Sequence, residues 1–201
     1  MSLPMHGSPC PYCMGKGPPL FERVVRLTSF HDPVRALVHH LKYHGRWGIG
    51  EELADRLLHR EPVQELLKKT DLVVPVPLHW RRQVTRGYNQ AEVLARRLAG
   101  KKVVRAVRRV RNTPTQTHQQ TAARRAENLR GAFALVKPET VAGKHVVIVD
   151  DVWTSGATMR EMARAIKGAK PASLSAIVVA TADPRGVERV EQRELTAGGR
   201  G

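Results

Sequence analysis

The sequence predicts an α/β fold, with an open, mainly parallel sheet that carries helices on both faces. Two short apolar runs, at residues 145–149 and 174–181, are rich in valine and isoleucine and are typical of buried strands. A segment with helical apolar spacing, 158–167, lies between them, and another, 89–98, follows a third strand at 71–77. Strands that alternate with helices indicate right-handed βαβ units, which place the strands in parallel.

The chain of 201 residues divides into four predicted segments. Residues 1–20 are rich in proline and lack apolar periodicity, which is typical of a loop. Residues 21–70 contain helix-spaced apolar residues and are predicted to form a small helical domain, called the hood below. Residues 71–182 contain the predicted sheet. The glycine-rich end, 183–201, is predicted to be a flexible tail.

Composition and charge limit the class of partner. Lysine and arginine number 34 against 18 acidic residues, and the net charge of +16 predicts an anionic partner such as nucleic acid, polyphosphate or a membrane surface. Aromatic residues make up only 4%, which argues against a base-stacking platform. Two cysteines exclude a disulfide-rich scaffold. The longest uncharged apolar run has 12 residues, whereas a membrane span needs about 20, so we expect a soluble, cytoplasmic protein.

The residues with the clearest chemistry follow the strand 145–149. This strand leads into two adjacent acids, Asp150 and Asp151, then into a loop of small and hydroxyl residues and the start of a helix. Ligands of open α/β sheets bind at the carboxyl ends of the strands. Carboxylates accept hydrogen bonds from sugar hydroxyls, and loop N–H groups at a helix N-terminus suit a phosphate. The motif therefore predicts a sugar-phosphate site, with a plain turn and helix cap as the alternative.

The thirteen residues 146–158 resemble the phosphoribosyl-pyrophosphate (PRPP) signature of type I phosphoribosyltransferases. The resemblance implies the type I phosphoribosyltransferase fold, with Asp150 and Asp151 on the 2′- and 3′-hydroxyls of the ribose. It also implies that PRPP binds with Mg²⁺, which bridges pyrophosphate and ribose oxygens. The residues that it places around the 5′-phosphate are Thr154, Ser155, Gly156, Ala157 and Thr158.

Three further blocks resemble the ComF (competence protein F) family, whose members are linked to natural competence and DNA uptake. They are residues 41–45, residues 74–90, which end in Arg-Gly-Tyr-Asn-Gln, and residues 125–133. Arg82 and Arg86 lie in a predicted polar loop after the strand 71–77, where type I enzymes bind pyrophosphate. Guanidinium groups bind phosphate oxygens bidentately, and a merely solvated basic loop is the alternative.

The long polar segment 108–131 resembles the flexible loop that closes over PRPP in type I enzymes, which is called the hood loop and is separate from the hood of residues 21–70. Arg125 and Asn128 lie at its end. Purine-salvage enzymes often carry an acid at this point of the motif, where it acts as the general base toward the nucleobase. Here the position is occupied by Thr154, and a threonine is a poor base. The acceptor is therefore not predicted. Two functions stay open. One is phosphoribosyl transfer with release of pyrophosphate, and the other is non-catalytic binding of PRPP or a nucleotide by a protein that also binds single-stranded DNA in competence or DNA uptake. Lys42 and His44 are weaker candidates for lining the site from the hood.

Basic charge and cysteine spacing leave further alternatives open. Residues 81–130 contain fourteen lysines and arginines and two acids, which is more cations than PRPP needs. The surplus predicts single-stranded DNA or RNA as a second candidate partner, and side chains that are merely solvated are the alternative.

Cys10 and Cys13 have half the spacing of a zinc site. ComF relatives often carry a four-cysteine zinc module, but this sequence has no second pair, which makes Zn²⁺ doubtful. Type I enzymes are often dimers, which makes a homodimer one alternative, and the sequence leaves the oligomeric state open.

Overall fold

The computed structural model describes residues 20–43, 45–111 and 127–182, and its centre is a four-stranded sheet in which all neighbouring strands are parallel. This arrangement confirms the predicted fold class. A parallel bridge between Val73 and Val103 extends one edge. In spatial order the strands are β1 (Val24–Ser29), β6 (Ser173–Thr181), β5 (His145–Trp153) and β2 (Leu72–Pro75).

Helices cover both faces of this sheet. Within the described ranges, none of them is long and apolar enough to cross a membrane. One face is covered by α1 (Val34–Tyr43), α2 (Trp47–Leu58), α3 (Glu61–Lys69) and α5 (Gln90–Ala99). The other is covered by α6 (Pro138–Val141), α7 (Ala157–Lys167) and an antiparallel pair of short strands, β3 (Val107–Arg109) and β4 (Phe133–Leu135). Two shorter elements connect β2 to β3, namely α4 (Trp80–Arg86) and the 3₁₀ helix Gly100–Lys102, on either side of α5.

Alternating side chains along the strands divide the core into two clusters. On β5, Val147 and Val149 pack with the helices α2 and α5, whereas Val146 and Ile148 pack with α7. All four side chains are at most 1% exposed. A strand that is apolar on both faces is typical of a parallel sheet covered on both sides. This pattern explains why the sequence predicts β5 well.

The first part of the hood differs from the prediction. The sequence predicts a helical segment from residue 21, but β1 lies there and pairs with β6 in the central sheet. The strand pattern is hard to recognise because Arg26 interrupts a short apolar run. In the structure the guanidinium of Arg26 donates a hydrogen bond to the Thr181 hydroxyl at the edge of the sheet. The helices of the hood, α1 to α3, follow β1.

The predicted polar loop after β2 is also different, because most of it forms α4. Residues at both ends explain this helix. The Nδ1 of His79 accepts a hydrogen bond from the N–H of Arg81 at 3.4 Å, and Gly87 ends the helix with a left-handed φ of +81°. Arg82 and Arg86 are four residues apart and so share one side of this helix, and this placement matters for the site below.

The order of the strands opens a crevice between β2 and β5. After β2 the chain moves outward to Val103, whereas β5 returns on the other side of β2. Pro75 pairs with Val149, and β5 continues beyond that point to Trp153 alongside β6. The carboxyl end of β5 therefore extends past that of β2, which is the usual ligand position in an open α/β sheet.

Candidate functional site

The acid pair lies on the part of β5 that extends past β2. Asp151 is 6% exposed, and its Oδ2 is 2.8 Å from Nζ of Lys42, which comes from α1 of the hood. Asp150 accepts a hydrogen bond from the backbone N–H of Asp151 at 2.9 Å. The structure thus places both predicted acids together and brings Lys42 from the hood onto them.

The two acids differ in their electrostatic surroundings. Burial and, after it, the neighbouring Asp151 carboxylate raise the pKa of Asp150 to about 7, against the opposing charges of Lys42 and Arg109. Burial would lower the pKa of Lys42, but the carboxylates of Asp151 and Asp150 outweigh this effect and raise it. Near neutral pH the site therefore holds one ion pair and one acid that exchanges its proton. Such oxygens suit the hydroxyls of a sugar.

The predicted phosphate loop joins β5 to α7. Gly156, the residue before the helix, has a φ of +71°, and a Cβ there would lie 2.8 Å from Nε1 of Trp153. Trp153 in turn packs edge-on against Phe21 at 5.5 Å. Glycine is needed at this position because it adopts a positive φ without strain and has no Cβ that would collide with Trp153. The first N–H groups of this 11-residue helix have no partner within the helix and suit a phosphate. Of the predicted phosphate ligands, Thr154 is exposed, Ser155 and Thr158 are half-buried, and Gly156 and Ala157 are buried.

Three arginines form a cluster on the other side of the crevice: Arg82 and Arg86 on α4, and Arg109 on β3. Burial lowers the pKa of Arg82, and the nearby Arg86 lowers it further. Burial also lowers the pKa of Arg109 to about 10, together with Arg82, while the charge of Asp150 opposes the shift. Crowded cations of this kind are stabilised by a polyanion. Since Asp150 and Arg109 act on each other's pKa, the arginine cluster and the acid pair belong to one site.

The Arg-Gly-Tyr-Asn-Gln block holds Arg86 in this cluster. The Nη1 of Arg86 donates to Oε1 of Gln90 at 2.9 Å, and its guanidinium lies 5.2 Å from the ring centre of Tyr43. Gln90 is 3% exposed, so it is a rigid support. Asn89 accepts from the N–H of Ala91 at 3.1 Å and so caps α5. The block is therefore a structural frame around one phosphate-binding candidate.

Comparison with known proteins identifies the family. Residues 83–195, more than half of the chain, match the family model "Phosphoribosyl transferase domain". The chain is 40% identical over 164 residues to "DNA utilization protein YhgH" of Salmonella typhimurium, covering 78% of this chain and 70% of that protein. It is 32% identical over 174 residues to "Competence protein F" of Haemophilus influenzae, covering 82% and 75%. The chain belongs to the ComF family.

A third ComF relative is more distant. "Competence protein ComFC" of Bacillus subtilis is 30% identical over 111 residues, which cover 54% of this chain and 43% of that protein. Together with the parallel sheet, the family match establishes the type I phosphoribosyltransferase fold. It confirms the family that the sequence blocks indicate.

Several predicted site residues of this ComF chain lie outside the described residues. They are Cys10, Cys13, His44 and Arg125, together with the predicted tail. Asn128 lies beside Leu129, which is 2% exposed and packs in the same core cluster as α7. Among the described residues, no group of three or more His, Cys, Asp or Glu side chains could hold a metal ion.

Sequence reasoning missed Arg109 as a site residue and ranked Lys42 as a weak candidate. Arg109 lies in a run of basic residues on a three-residue strand, and only the pairing of β3 with β4 brings it to the crevice. The signal for Lys42 was its place in the block 41–45, which resembles the ComF family. Its partner, Asp151, is more than a hundred residues away, so the ion pair follows from the fold and has no local pattern.

We expect Tyr88→Phe to weaken the attachment of the hood. The Tyr88 hydroxyl donates to the backbone carbonyl of Leu41, next to Lys42, and burial raises the pKa of this phenol, so the hydroxyl stays protonated. Loss of the bond should lower the free energy of unfolding by about 1 kcal/mol, measured by urea denaturation. Tyr43→Phe is the matched control, since that side chain is 57% exposed. Equal stability of the two variants would contradict a role for Tyr88 in holding α1.

Proposed function

We propose that this ComF-family protein binds PRPP in the crevice between β2 and β5 and transfers its phosphoribosyl group with release of pyrophosphate. The observation that carries the proposal is the acid pair at the carboxyl end of β5, which leads directly into the loop 154–158 and the N-terminus of α7 and has Lys42 at 2.8 Å from Asp151. The arginine cluster is close enough for Asp150 and Arg109 to affect each other's pKa. PRPP has a ribose diol between two phosphate groups. A site with acids at its centre and phosphate-binding groups on both sides matches that order.

Each part of PRPP has a candidate partner. The ribose hydroxyls donate to Asp150 and Asp151. The 5′-phosphate lies on the loop 154–158, at the N-terminus of α7, where backbone N–H groups and hydroxyls are available. The pyrophosphate lies on the arginine cluster, Arg82, Arg86 and Arg109. The last of these residues is an addition to the sequence-based prediction, and its partly buried guanidinium would be the most shielded from water.

The proposed reaction is a displacement at C1 of the ribose. A bond forms between C1 and the acceptor nucleophile, and the bond from C1 to the pyrophosphate oxygen breaks with its electron pair on that oxygen. The arginine cluster stabilises the charge that develops on the leaving group. Asp150 and Asp151 hold the ribose while its ring gains positive charge. Position 154 is an exposed threonine, which is a poor base, so the proton of the acceptor passes to solvent water.

Two measurements test the proposal. PRPP is titrated calorimetrically into the purified chain, with ribose 5-phosphate as the ligand that lacks pyrophosphate. Pyrophosphate release is then followed while candidate acceptors are added. Tighter binding of PRPP than of ribose 5-phosphate, with acceptor-dependent release, is the expected result. Binding without release under any acceptor would identify a non-catalytic PRPP sensor. A folded chain that shows no heat of binding at millimolar PRPP would overturn the proposal.

A second candidate function, binding of single-stranded DNA, is supported by the surface of α4. Trp80 is 62% exposed, and the guanidinium of Arg81 lies 5.3 Å from its ring centre. An exposed aromatic ring beside arginines is typical of sequence-independent binding to single strands. The names of the relatives refer to DNA utilization and competence. Although aromatic residues are few, this one is exposed next to the arginine cluster.

Three other arginines of the basic region support the DNA candidate less strongly, because they are already paired with acids. Arg96 and Arg105 both contact the carboxylate of Glu92, and Arg97 pairs with Asp55. We therefore expect α4, and not the basic region as a whole, to be the main contact. The number of phosphates neutralised should be correspondingly small.

Fluorescence anisotropy with a labelled single-stranded oligonucleotide tests this candidate. We expect Trp80→Ala to lower the affinity about tenfold, which is the effect of one stacked base. Trp47→Ala is the matched control, a tryptophan of similar exposure (56%) on α2. The affinity of the unchanged chain should fall steeply with salt. Equal affinities of the two variants, or an affinity that salt does not change, would exclude this mode of binding.

A further inference from the structure

Lys42 occupies a central position among the charges of the site. Its ammonium is 2.8 Å from Oδ2 of Asp151, and its pKa responds to the charges of Asp150 and Arg86 as well. It therefore contacts the acid pair and is close enough to Arg86 of the arginine cluster to be affected by its charge. The side chain is 28% exposed, so a ligand in the crevice can reach it. The neighbouring carbonyl of Leu41 is bonded by Tyr88, which fixes this end of α1.

The resemblance to type I enzymes implies Mg²⁺ with PRPP, and the charges of this site bear on that expectation. Magnesium prefers ionised oxygen ligands. Here Asp151 is already paired with Lys42, and burial raises the pKa of Asp150 to about 7, so that acid is only partly ionised at neutral pH. The cation of Arg109 is also close enough to affect Asp150. The acid pair is therefore a poor set of direct ligands for a divalent metal ion. Any such ion would be bound to the pyrophosphate oxygens of the ligand.

We propose that Lys42 is the cation that the protein supplies between the ribose and the pyrophosphate of PRPP. Because of this charge, the binding of PRPP depends less on Mg²⁺. The inference rests on the proposed PRPP site. An ammonium has three donors, so Lys42 can keep Asp151 as a partner and also donate to a ligand oxygen. With Arg82, Arg86 and Arg109 it provides four fixed positive charges against the phosphates. A compact ammonium on a flexible side chain suits a position that metal ions take in other sites.

The test compares the affinity for PRPP in excess Mg²⁺ and in EDTA, measured by calorimetry for the unchanged chain and for variants of Lys42. Transfer from Mg²⁺ to EDTA should lower the affinity of the unchanged chain for PRPP by less than about threefold. The same transfer should lower the affinity of Lys42→Met by about tenfold or more, and added Mg²⁺ should restore most of it. Lys42→Arg keeps the charge and should behave like the unchanged chain. The control is Lys68→Met, an exposed lysine on α3 at the opposite edge of the sheet.

The outcomes separate this inference from the proposed function. Binding by the unchanged chain only in Mg²⁺ would overturn the role of Lys42 but leave the PRPP site in place, and this measurement does not depend on whether Lys42→Met folds. Tighter binding by Lys42→Met in EDTA would also overturn it, because Lys42 would then act as a competitor of the ligand. Absence of binding in both buffers would overturn the PRPP site itself.

Discussion

Replacing Asp150 and Asp151 together by asparagine is expected to lower the affinity for PRPP by at least about a hundredfold. Each hydrogen bond from a ribose hydroxyl to a carboxylate contributes about 1.5–3 kcal/mol, and an amide cannot replace it fully. Calorimetric titration measures the loss. Asp55→Asn is the control, because this half-buried acid pairs with Arg97 on the hood side of the sheet. An affinity of the double variant within threefold of the unchanged chain would show that PRPP does not use the acid pair.

The single variants should change stability in opposite directions. The pKa of Asp150 is raised from 3.8 to about 7 on folding, so the folded state holds the proton more tightly and stability falls as pH rises from about 4 to 7. Asp150→Asn removes this cost and should raise the free energy of unfolding at pH 8 by about 1–2 kcal/mol, with a difference that shrinks towards pH 4. Asp150 is then an acid that the site keeps for its ligand at the expense of stability.

Asp151→Asn should have the opposite effect. It removes the partner of Lys42 at a position where the acid is 6% exposed, and an ammonium with no carboxylate there is costly. We expect a loss of about 1–3 kcal/mol, less than for a fully buried pair because Lys42 is partly exposed. Urea denaturation of both single variants at pH 8 and pH 5 distinguishes the two roles. Equal destabilisation by both would contradict the assignment of Asp150 as the acid whose burial lowers stability.

The parts of the fold that the sequence predicts are those with a local cause. The strand β5 is predictable because both of its faces are apolar, and the acids follow it directly along the chain. The phosphate loop is predictable because its residues are contiguous. In contrast, Arg109 reaches the site only because β3 pairs with β4, more than twenty residues further along the chain. The ion pair of Lys42 joins two distant segments and has no local pattern.

The secondary-structure differences have a similar origin. Residues around Arg82 are polar and suggest a loop, but a cap at His79 and a left-handed Gly87 make seven of them helical. The strand β1 contains Arg26, which is tolerated because it lies at the edge of the sheet and donates to Thr181. In both cases the secondary structure is determined by contacts in the folded protein and not by the local sequence pattern. The helix α4 gives Arg82 and Arg86 an ordered backbone and spaces them one helical turn apart.

Gly156→Ala is expected to cost both stability and affinity. A Cβ at this position would lie 2.8 Å from Nε1 of Trp153 and 3.0 Å from Nη1 of Arg160, and the φ of +71° is itself unfavourable for alanine. The arginine can move, but the indole is packed against Phe21. We expect a loss of about 2–3 kcal/mol in the free energy of unfolding, from the backbone strain and the crowding together. The affinity for PRPP should fall about tenfold or more, because the loop must move away from the helix N-terminus.

Gly143→Ala separates the two causes. Gly143 has nearly the same φ, +67°, but a Cβ there would have no atom within 4 Å, and the residue precedes β5 at the opposite edge of the sheet. This control should lose about 1 kcal/mol from the backbone strain alone and bind PRPP like the unchanged chain. The difference between the two variants then measures the crowding against Trp153. If Gly156→Ala binds PRPP as tightly as Gly143→Ala does, the close approach of loop and indole is not needed for the phosphate, and the 5′-phosphate must lie elsewhere.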